Sequence, residues 1–217
     1  MSKIDYQKNI AKEVLHKLEI IDPSCILAGG APRNWFFNKE ANDLDFYIHV
    51  KFNEQRWKTD IRFERLGLDV KHVSFKSEKW KDYGIMEHLF RIYEGTYKEQ
   101  KIQIMVMKES TYHSVVDCFG VSICKFWWKG GKVIPTNEAL VSILSETLFI
   151  KDDYSAKEVH VEKQKRYFPD YKVAPYSKYD EAKFLTLEEY SDLGNYGTIS
   201  YSSRLLKLVM EKISGKI

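Results

Sequence analysis

The sequence is poor in cysteine, with three among 217 residues, and their spacing matches no zinc template. Cys25, Cys118 and Cys124 are odd in number and lie in apolar segments, which excludes a disulfide framework like that of small secreted domains. We therefore expect buried, reduced thiols and a cytoplasmic protein.

Long apolar runs are also missing. No segment approaches the roughly 18 apolar residues of a membrane span, so we expect no membrane partner. The first residues, MSKIDYQKNIAKEV, lack the apolar core of a signal peptide. The net charge of +3, from 34 basic and 31 acidic residues, is too small to indicate nucleic-acid binding by itself.

The composition is that of an ordinary globular protein, with 44% hydrophobic and 14% aromatic residues. Helical and strand periodicities alternate along the chain, which predicts an α/β or α+β fold. The sequence becomes more polar near residue 151, so we expect a core over residues 1–150 and a helical extension, packed on it, over residues 151–217. Helices are predicted over residues 3–20, 31–37, 53–66, 110–119, 135–149, 156–168, 180–190 and 201–213. Strands are predicted over residues 25–28, 43–50, 69–75, 89–97, 101–107, 121–128 and 132–134, with a loop over residues 169–179.

Two aspartates stand out in the segment DLDFYIHV, which alternates polar and apolar residues. In a strand, Asp43 and Asp45 point to the same face, roughly 6 to 7 Å apart along the chain. Two such carboxylates repel each other unless a cation lies between them, and magnesium prefers oxygen ligands of this kind. The alternative is a pair of solvated charges at a strand edge, because Asp-x-Asp alone is common.

A glycine pair precedes these aspartates. Gly29 and Gly30 follow a short apolar strand and open a helix, where backbone N–H groups favour an anion. Arg33 lies one turn into that helix and carries several donors for a phosphate. The alternative is an ordinary tight turn with Arg33 on the surface.

Together, these residues are similar to a known pattern. The segment LAGGAPRNWFFNKEANDLDFYI resembles the head-domain signature of the DNA polymerase β nucleotidyltransferase superfamily, especially that of tRNA CCA-adding enzymes and bacterial poly(A) polymerases. Gly29, Gly30, Arg33, Asp43 and Asp45 fall on its glycine, arginine and Asp-x-Asp positions. The size of the chain is also similar to that of small nucleotidyltransferase-like proteins of bacteriophages.

The resemblance implies a nucleotidyltransferase-like mixed sheet flanked by helices, with a helical C-terminal tail. It implies that Asp43 and Asp45 are catalytic and hold Mg²⁺ or Mn²⁺, while Gly29, Gly30 and Arg33 bind an NTP. The expected reaction transfers NMP to an acceptor, which is an RNA end, a protein or a small molecule.

Three residues depart from the family pattern. Pro32 replaces valine, and Asn34 replaces aspartate. Gln103 occupies the candidate third-ligand position on a later strand, where relatives often carry an acid, and an amide brings an oxygen but no charge. Nearby acids, Glu109 and Asp117, do not fit the pattern. The alternative function is therefore a degenerate fold that binds a nucleotide, a nucleic acid or a protein of a host system.

Other polar and aromatic residues have ordinary structural interpretations. Tyr47 and His49 share the aspartate face, where packing and hydrogen bonding are the usual roles. The basic and aromatic residues of segment 125–132 would suit single-strand binding, but a strand with one buried tryptophan and lysines at its edge is favoured. Basic residues of helix 156–168, His160 among them, are expected on a solvated face.

Overall fold

A seven-stranded mixed sheet forms the frame of the N-terminal part in the computed structural model. The residues that the structure describes are 1–50, 55–73, 88–108, 112–152, 157–183 and 201–216. The α-helices are α1 (Lys3–Leu18), α2 (Gly30–Phe36), α3 (Arg56–Arg65), α4 (Tyr112–Asp117), α5 (Asn137–Leu144), α6 (Lys157–Lys165) and α7 (Tyr201–Ile213). The strands are β1 (Ile26–Ala28), β2 (Asp43–His49), β3 (Asp69–Val73), β4 (Leu89–Tyr97), β5 (Gln100–Met107), β6 (Phe126–Lys129), β7 (Lys132–Pro135), β8 (Thr147–Ile150) and β9 (Lys172–Pro175).

The order of strands in this sheet is β3-β4-β5-β2-β1-β6-β7. The central pair, β2 and β5, is parallel, whereas β1 is antiparallel to both β2 and β6, and β4 is antiparallel to β3 and β5. This arrangement confirms the predicted α/β class with a mixed sheet flanked by helices.

One face of the sheet packs against α1. Ser2 caps this helix by accepting a hydrogen bond from the Asp5 N–H, and the helix ends before Pro23. Its apolar residues recur at helical spacing and bury one side against alternate residues of β2 and β5. The buried core on this face includes Ile10, Val14, Leu18, Leu44, Phe46, Ile48, Ile102 and Ile104.

The opposite face carries the aspartates, and it is not simply open to solvent as the alternation would allow. Tyr47 is buried there and packs against Phe119, with ring centroids 5.8 Å apart. Met105 and Val116 belong to the same apolar cluster. The polar part of this face is therefore confined to the N-terminal half of β2.

The chain divides into two compact units. The first contains residues 1–119 and 126–134, and the second contains residues 120–125 and 135–217. This division lies ahead of the boundary near residue 151 that the composition indicates. The extent of a 1–150 catalytic core and of a 151–217 extension stays a prediction.

The second unit differs from expectation in three segments. Residues 122–124 form a 3₁₀ turn, so the strand predicted over 121–128 begins only at Phe126. The helix predicted over 135–149 ends at Leu144, and Thr147–Ile150 is strand β8. Residues 172–175, predicted as loop, form strand β9 parallel to β8. The apolar run Thr147–Ile150 fits a strand and a helix equally well, and its pairing with β9 decides between them.

The structure also bears on the cysteines, on membrane-spanning helices and on two predicted helix caps. Cys25 and Cys118 are buried free thiols, and burial raises the pKa of the Cys25 thiol to about 12. Among the residues that the structure describes, no helix is long and apolar enough to cross a membrane. The predicted helix caps Asn53 and Ser110 lie outside the described residues.

Candidate functional site

The parallel pairing of β2 with β5 determines what lies beside the two aspartates. Asp43 is level with Lys101, and Asp45 is level with Gln103. Because residues in register point to the same face and neighbouring strands lie about 4.8 Å apart, each carboxylate has one specific neighbour. Asp43 thus sits next to an exposed lysine, while half-buried Asp45 sits next to a buried amide.

The next strand adds an acid to this row. In the antiparallel pairing of β4 with β5, Glu94 lies opposite Gln103. The Gln103 Nε2 donates a hydrogen bond of 2.7 Å to the Glu94 Oε1. Asp45, Gln103 and Glu94 therefore follow one another across three strands on one face of the sheet, and we call them the Asp45–Gln103–Glu94 row.

The oxygen of the Gln103 amide, unlike its nitrogen, has no hydrogen-bond partner among the described residues. Gln103 is 8% exposed, and its Oε1 is buried without a hydrogen-bond partner in the described part of the chain. The Asp45 Oδ1 is likewise buried. A buried carbonyl oxygen that accepts no hydrogen bond is costly, and a cation next to it removes that cost.

The glycine turn begins beside this row. Leu27 pairs with Phe46 in antiparallel register, so the last residue of β1, Ala28, is level with Asp45. Gly29 follows with φ 85° and ψ −126°, a conformation that is essentially restricted to glycine. Its N–H donates to the Phe126 carbonyl oxygen at 2.8 Å and holds the turn against β6.

Arg33 is buried rather than on the surface, with 3% of it exposed. Its Nε and Nη2 donate to the Asn34 Oδ1 at 3.1 and 2.8 Å. The Asn34 Nδ2 in turn donates to the Glu40 carbonyl oxygen at 2.9 Å. The guanidinium also lies above the first turn of α2, since a Cβ built on Gly30 would be 4.0 Å from the Arg33 Nη2. The Asn34 amide thus orients this arginine.

The residues present fit a divalent cation in part. Among the described residues, no three His, Cys, Asp or Glu side chains converge as a metal-binding group. Asp43 and Asp45 do supply two carboxylates on one face, and the amide oxygen of Gln103 is a buried acceptor without a donor in the same region. Two carboxylates with neutral oxygen ligands suit Mg²⁺ or Mn²⁺.

The remaining sequence candidates fall outside this site. His49 is hydrogen-bonded, because its N–H donates to the Asp22 Oδ2 at 2.9 Å and its Nδ1 lies 3.3 Å from the Met107 carbonyl oxygen. Asp117 is exposed on α4, and Glu109 lies outside the described residues. Trp128 is the buried tryptophan expected in segment 125–132.

Lys125 corrects one expectation about that segment. It is not an edge lysine, because its side chain is 4% exposed and its Nζ lies 3.2 Å from the Glu138 Oε1. Lys163 on α6 and Arg166, which follows the helix, are exposed as expected, whereas His160 is half-buried.

Sequence reasoning missed Glu94, because its place in the row depends on the length of the turn between β4 and β5. The turn residues are Lys98 and Glu99, with φ of 47° and 66°, and Tyr97 pairs with Gln100. A three-residue turn over 98–100 would instead pair Tyr97 with Lys101 and place Gly95 opposite Gln103. A shift of one residue in the register of β4 with β5 therefore removes Glu94 from the position opposite Gln103.

The family is shown by comparison with known sequences. The model of the Gabija anti-defense 2 family protein matches residues 5–146, which is most of the chain. The chain belongs to the Gabija anti-defense 2 family. No curated protein sequence matches this member of the family.

Solved structures show what the fold of this Gabija anti-defense 2 family member resembles. The CCA-adding enzyme of Bacillus stearothermophilus in complex with CTP has a TM-score of 0.52 and 12% identity, and the match covers 95% of this chain and 48% of the enzyme. A CCA-adding enzyme with ATP has a TM-score of 0.53 and 13% identity, with 95% and 46% covered. The chain spans about half the length of these enzymes, so the likeness establishes a nucleotidyltransferase-like fold alone.

Proposed function

We propose that this chain is a metal-dependent nucleotidyltransferase, which transfers NMP from an NTP to an acceptor and thereby counters the Gabija defence. The observation that carries the proposal is the position of the Gly29–Gly30 turn beside Asp43 and Asp45, on adjacent strands of a nucleotidyltransferase-like sheet. A cradle for phosphates next to paired carboxylates is the arrangement that nucleoside triphosphate chemistry requires. The family description adds a role against a defence system.

Each residue of the candidate site would have its own role in holding the metal ion or the nucleotide. Asp43 and Asp45, with the amide oxygen of Gln103, would hold Mg²⁺ or Mn²⁺, and the bound ion supplies positive charge against the triphosphate. Because the Gly29 N–H is bonded to Phe126, a phosphate at this turn uses the N–H groups from Gly30 onward. Arg33, oriented by Asn34, adds a guanidinium group close to the same turn.

The reaction itself is a displacement at the α-phosphorus. The oxygen of an acceptor hydroxyl forms a bond to the α-phosphorus, and the bond from that phosphorus to the β-phosphate oxygen breaks. The electron pair leaves with pyrophosphate, and the hydroxyl proton passes to water. Positioning and charge neutralisation provide the catalysis, so no separate general base is assigned.

The acceptor class is left to experiment, with an RNA end, a protein and a small molecule as candidates. CCA-adding enzymes are about twice as long as this chain, so tRNA is not transferred from them to this protein as a substrate. A bacteriophage origin would place both the NTP and the acceptor in the host cytoplasm.

The test is transfer of label from the four α-³²P NTPs, with Mg²⁺ or Mn²⁺, into RNA, protein and small-molecule fractions of a cell extract. We expect one fraction to be labelled by the wild-type chain, and Asp43→Asn with Asp45→Asn to reduce labelling at least ~100-fold. Glu99→Gln is the matched control, because it removes an exposed carboxylate from the turn of the same sheet and should label normally. Equal labelling by the double variant would contradict the proposal.

A second candidate is a binding protein on the same fold, which inhibits a component of the defence without transfer. Gln103 favours it, because the amide removes the charge that relatives often carry at this position. Cells with the Gabija defence, challenged by a phage that the defence blocks, separate the two functions. If the double aspartate variant no longer protects the phage from the defence, the result supports transfer. If that variant is folded and still protects the phage fully, the result supports binding alone.

A further inference from the structure

The Asp45–Gln103–Glu94 row contains an acid that the nucleotidyltransferase pattern does not assign. We infer that Glu94 is a positioning residue for a cation site formed by Asp43, Asp45 and the amide oxygen of Gln103. The inference rests on the proposed function, which it deepens by naming how this chain replaces the missing third carboxylate.

Glu94 sets the orientation of the Gln103 amide. A glutamine side chain can usually present either its oxygen or its nitrogen to a neighbour, and the choice follows from the hydrogen bonds around it. An ionised carboxylate only accepts hydrogen bonds. Because Glu94 receives the Gln103 Nε2 at 2.7 Å, it selects one end of the amide and leaves the Oε1 for other partners.

The surroundings of the Gln103 Oε1 favour a cation as its partner. The neighbour of Gln103 on the opposite strand is Asp45, whose oxygens are also acceptors when ionised. Gln103 is 8% exposed, and its Oε1 receives no hydrogen bond from the described residues. An amide oxygen held next to a carboxylate, away from water, is stabilised by a cation that both oxygens can coordinate.

Glu94 itself does not lie where a direct ligand of this cation would. Asp43, Asp45 and Glu94 do not converge as a three-carboxylate group in the described structure. Gln103 stands between Asp45 and Glu94 in the register of the sheet. Glu94 therefore acts through Gln103: it fixes the ligand and places a negative charge one strand away from the cation. Partners of this kind typically affect metal affinity 10–100-fold.

The experiment measures Mn²⁺ affinity of the intact chain by the loss of the free Mn²⁺ signal in electron paramagnetic resonance, without nucleotide. We expect Asp43→Asn with Asp45→Asn to abolish binding and Glu94→Gln to weaken it about 10-fold. The Glu94→Gln change keeps the size of the side chain, but the new amide no longer selects one end of the Gln103 amide and carries no charge. Glu99→Gln should bind Mn²⁺ as the wild type does.

The exchange variant tests the direction of the effect. In Glu94→Gln with Gln103→Glu, the acid stands on β5 and the amide on β4 donates to it, so we expect affinity to return to within about threefold of the wild type. A purely structural role for Glu94 predicts a lower melting temperature with unchanged Mn²⁺ affinity, and that result would overturn the inference. Failure of the exchange variant to recover affinity would also overturn it.

The two proposals fail in different ways. If the wild type binds Mn²⁺ through the aspartates and Glu94→Gln weakens binding, but no NTP is ever transferred, the positioning role stands and the transferase function is wrong. If transfer occurs and Glu94→Gln binds Mn²⁺ like the wild type, the positioning role is wrong and the transferase function stands. A wild type without an aspartate-dependent Mn²⁺ site contradicts both.

Discussion

Two groups of buried and half-buried polar side chains, one in each unit, differ in the hydrogen bonds that their buried polar atoms make. In the second unit, Lys125 donates to the Glu138 Oε1 and the Tyr176 hydroxyl at 3.2 Å each, and that hydroxyl donates to the same Oε1 at 3.1 Å. One cation, one anion and one hydroxyl form a closed set, which we call the lysine triad. The Asp45–Gln103–Glu94 row has one hydrogen bond along it and leaves a buried amide oxygen without a donor among the described residues.

We interpret the lysine triad as structural and the Asp45–Gln103–Glu94 row as the candidate ligand site. A closed set such as the lysine triad has nothing to gain from a ligand, because each charge already has its partner. The Gln103 Oε1 would gain a partner if a cation bound beside it, so part of the cost of burying this oxygen would be recovered on binding. Burial alone does not separate the two cases, whereas the hydrogen bonds of the Lys125 ammonium and the lack of one at the Gln103 oxygen do.

The largest expected effect comes from opening the lysine triad. Lys125→Met removes the cation and leaves Glu138 with one fewer partner in largely buried surroundings. We expect the free energy of unfolding to fall by about 3 kcal/mol, as for other buried pairs that lose one member. Urea denaturation followed by intrinsic fluorescence measures it.

An exposed ion pair provides the matched control for that variant. Lys178 and Glu181 lie 3.1 Å apart with both side chains 62% exposed, so Lys178→Met should cost less than about 0.5 kcal/mol. If the two variants lose the same stability, the lysine triad is no more structural than a surface pair, and the contrast with the row disappears.

Much of the site was predictable because it depends on local patterns. Alternation placed Asp43 and Asp45 on one face of a strand, and the glycine pair placed a turn and a helix before them, as the structure has them. Gly29 has a positive φ, which a glycine at this place in the sequence already indicates. These features needed no knowledge of which strands pair.

Features that depend on pairing could not be predicted in the same way. Glu94 belongs to the row only through the register of β4 with β5, and its turn uses Lys98 and Glu99 rather than the Asn-Gly or Asp-Gly that would signal a two-residue turn. The lysine triad joins residues 125, 138 and 176, which lie far apart in the sequence. Likewise, Thr147–Ile150 is a strand because β9 pairs with it, although its apolar run suits a helix too.

A smaller effect is expected from adding a carboxylate beside Arg33. Asn34→Asp puts a negative charge where the Asn34 amide oxygen accepts hydrogen bonds from the guanidinium, so Arg33 would attract a phosphate less strongly. We expect the KM for NTP to rise about 10-fold, which corresponds to ~1.4 kcal/mol, with a smaller change in kcat. Steady-state transfer assays measure both constants.

A charge control separates this effect from the general change in net charge. Asn9→Asp adds the same charge at an exposed position of α1, and we expect its KM to match the wild type. An Asn34→Asp variant with unchanged KM and melting temperature would show that the charge of Arg33 does not hold the nucleotide.

The smallest effect is a pH dependence that the lysine triad should show. Burial acts to raise the pKa of Glu138, but the Lys125 ammonium and the hydrogen bonds from the backbone, Lys125 and Tyr176 outweigh it, so the pKa is lowered from its ordinary value of 4.5. The unfolded chain then takes up this proton at higher pH than the folded chain does. The stabilisation is therefore fully present above pH 4.5 and is lost as the pH falls through the lowered pKa.

Comparison with Glu138→Gln isolates this contribution from the other carboxylates of the chain. We expect the difference in unfolding free energy between wild type and Glu138→Gln to be constant from pH 7 to about pH 5.5 and to shrink below pH 4.5, where the unfolded carboxyl is protonated. Urea titrations at each pH give this difference directly. If the difference in unfolding free energy does not change down to about pH 3.5, Lys125 and Tyr176 do not hold Glu138 ionised. The lysine triad would then not be a closed set of hydrogen-bonded charges.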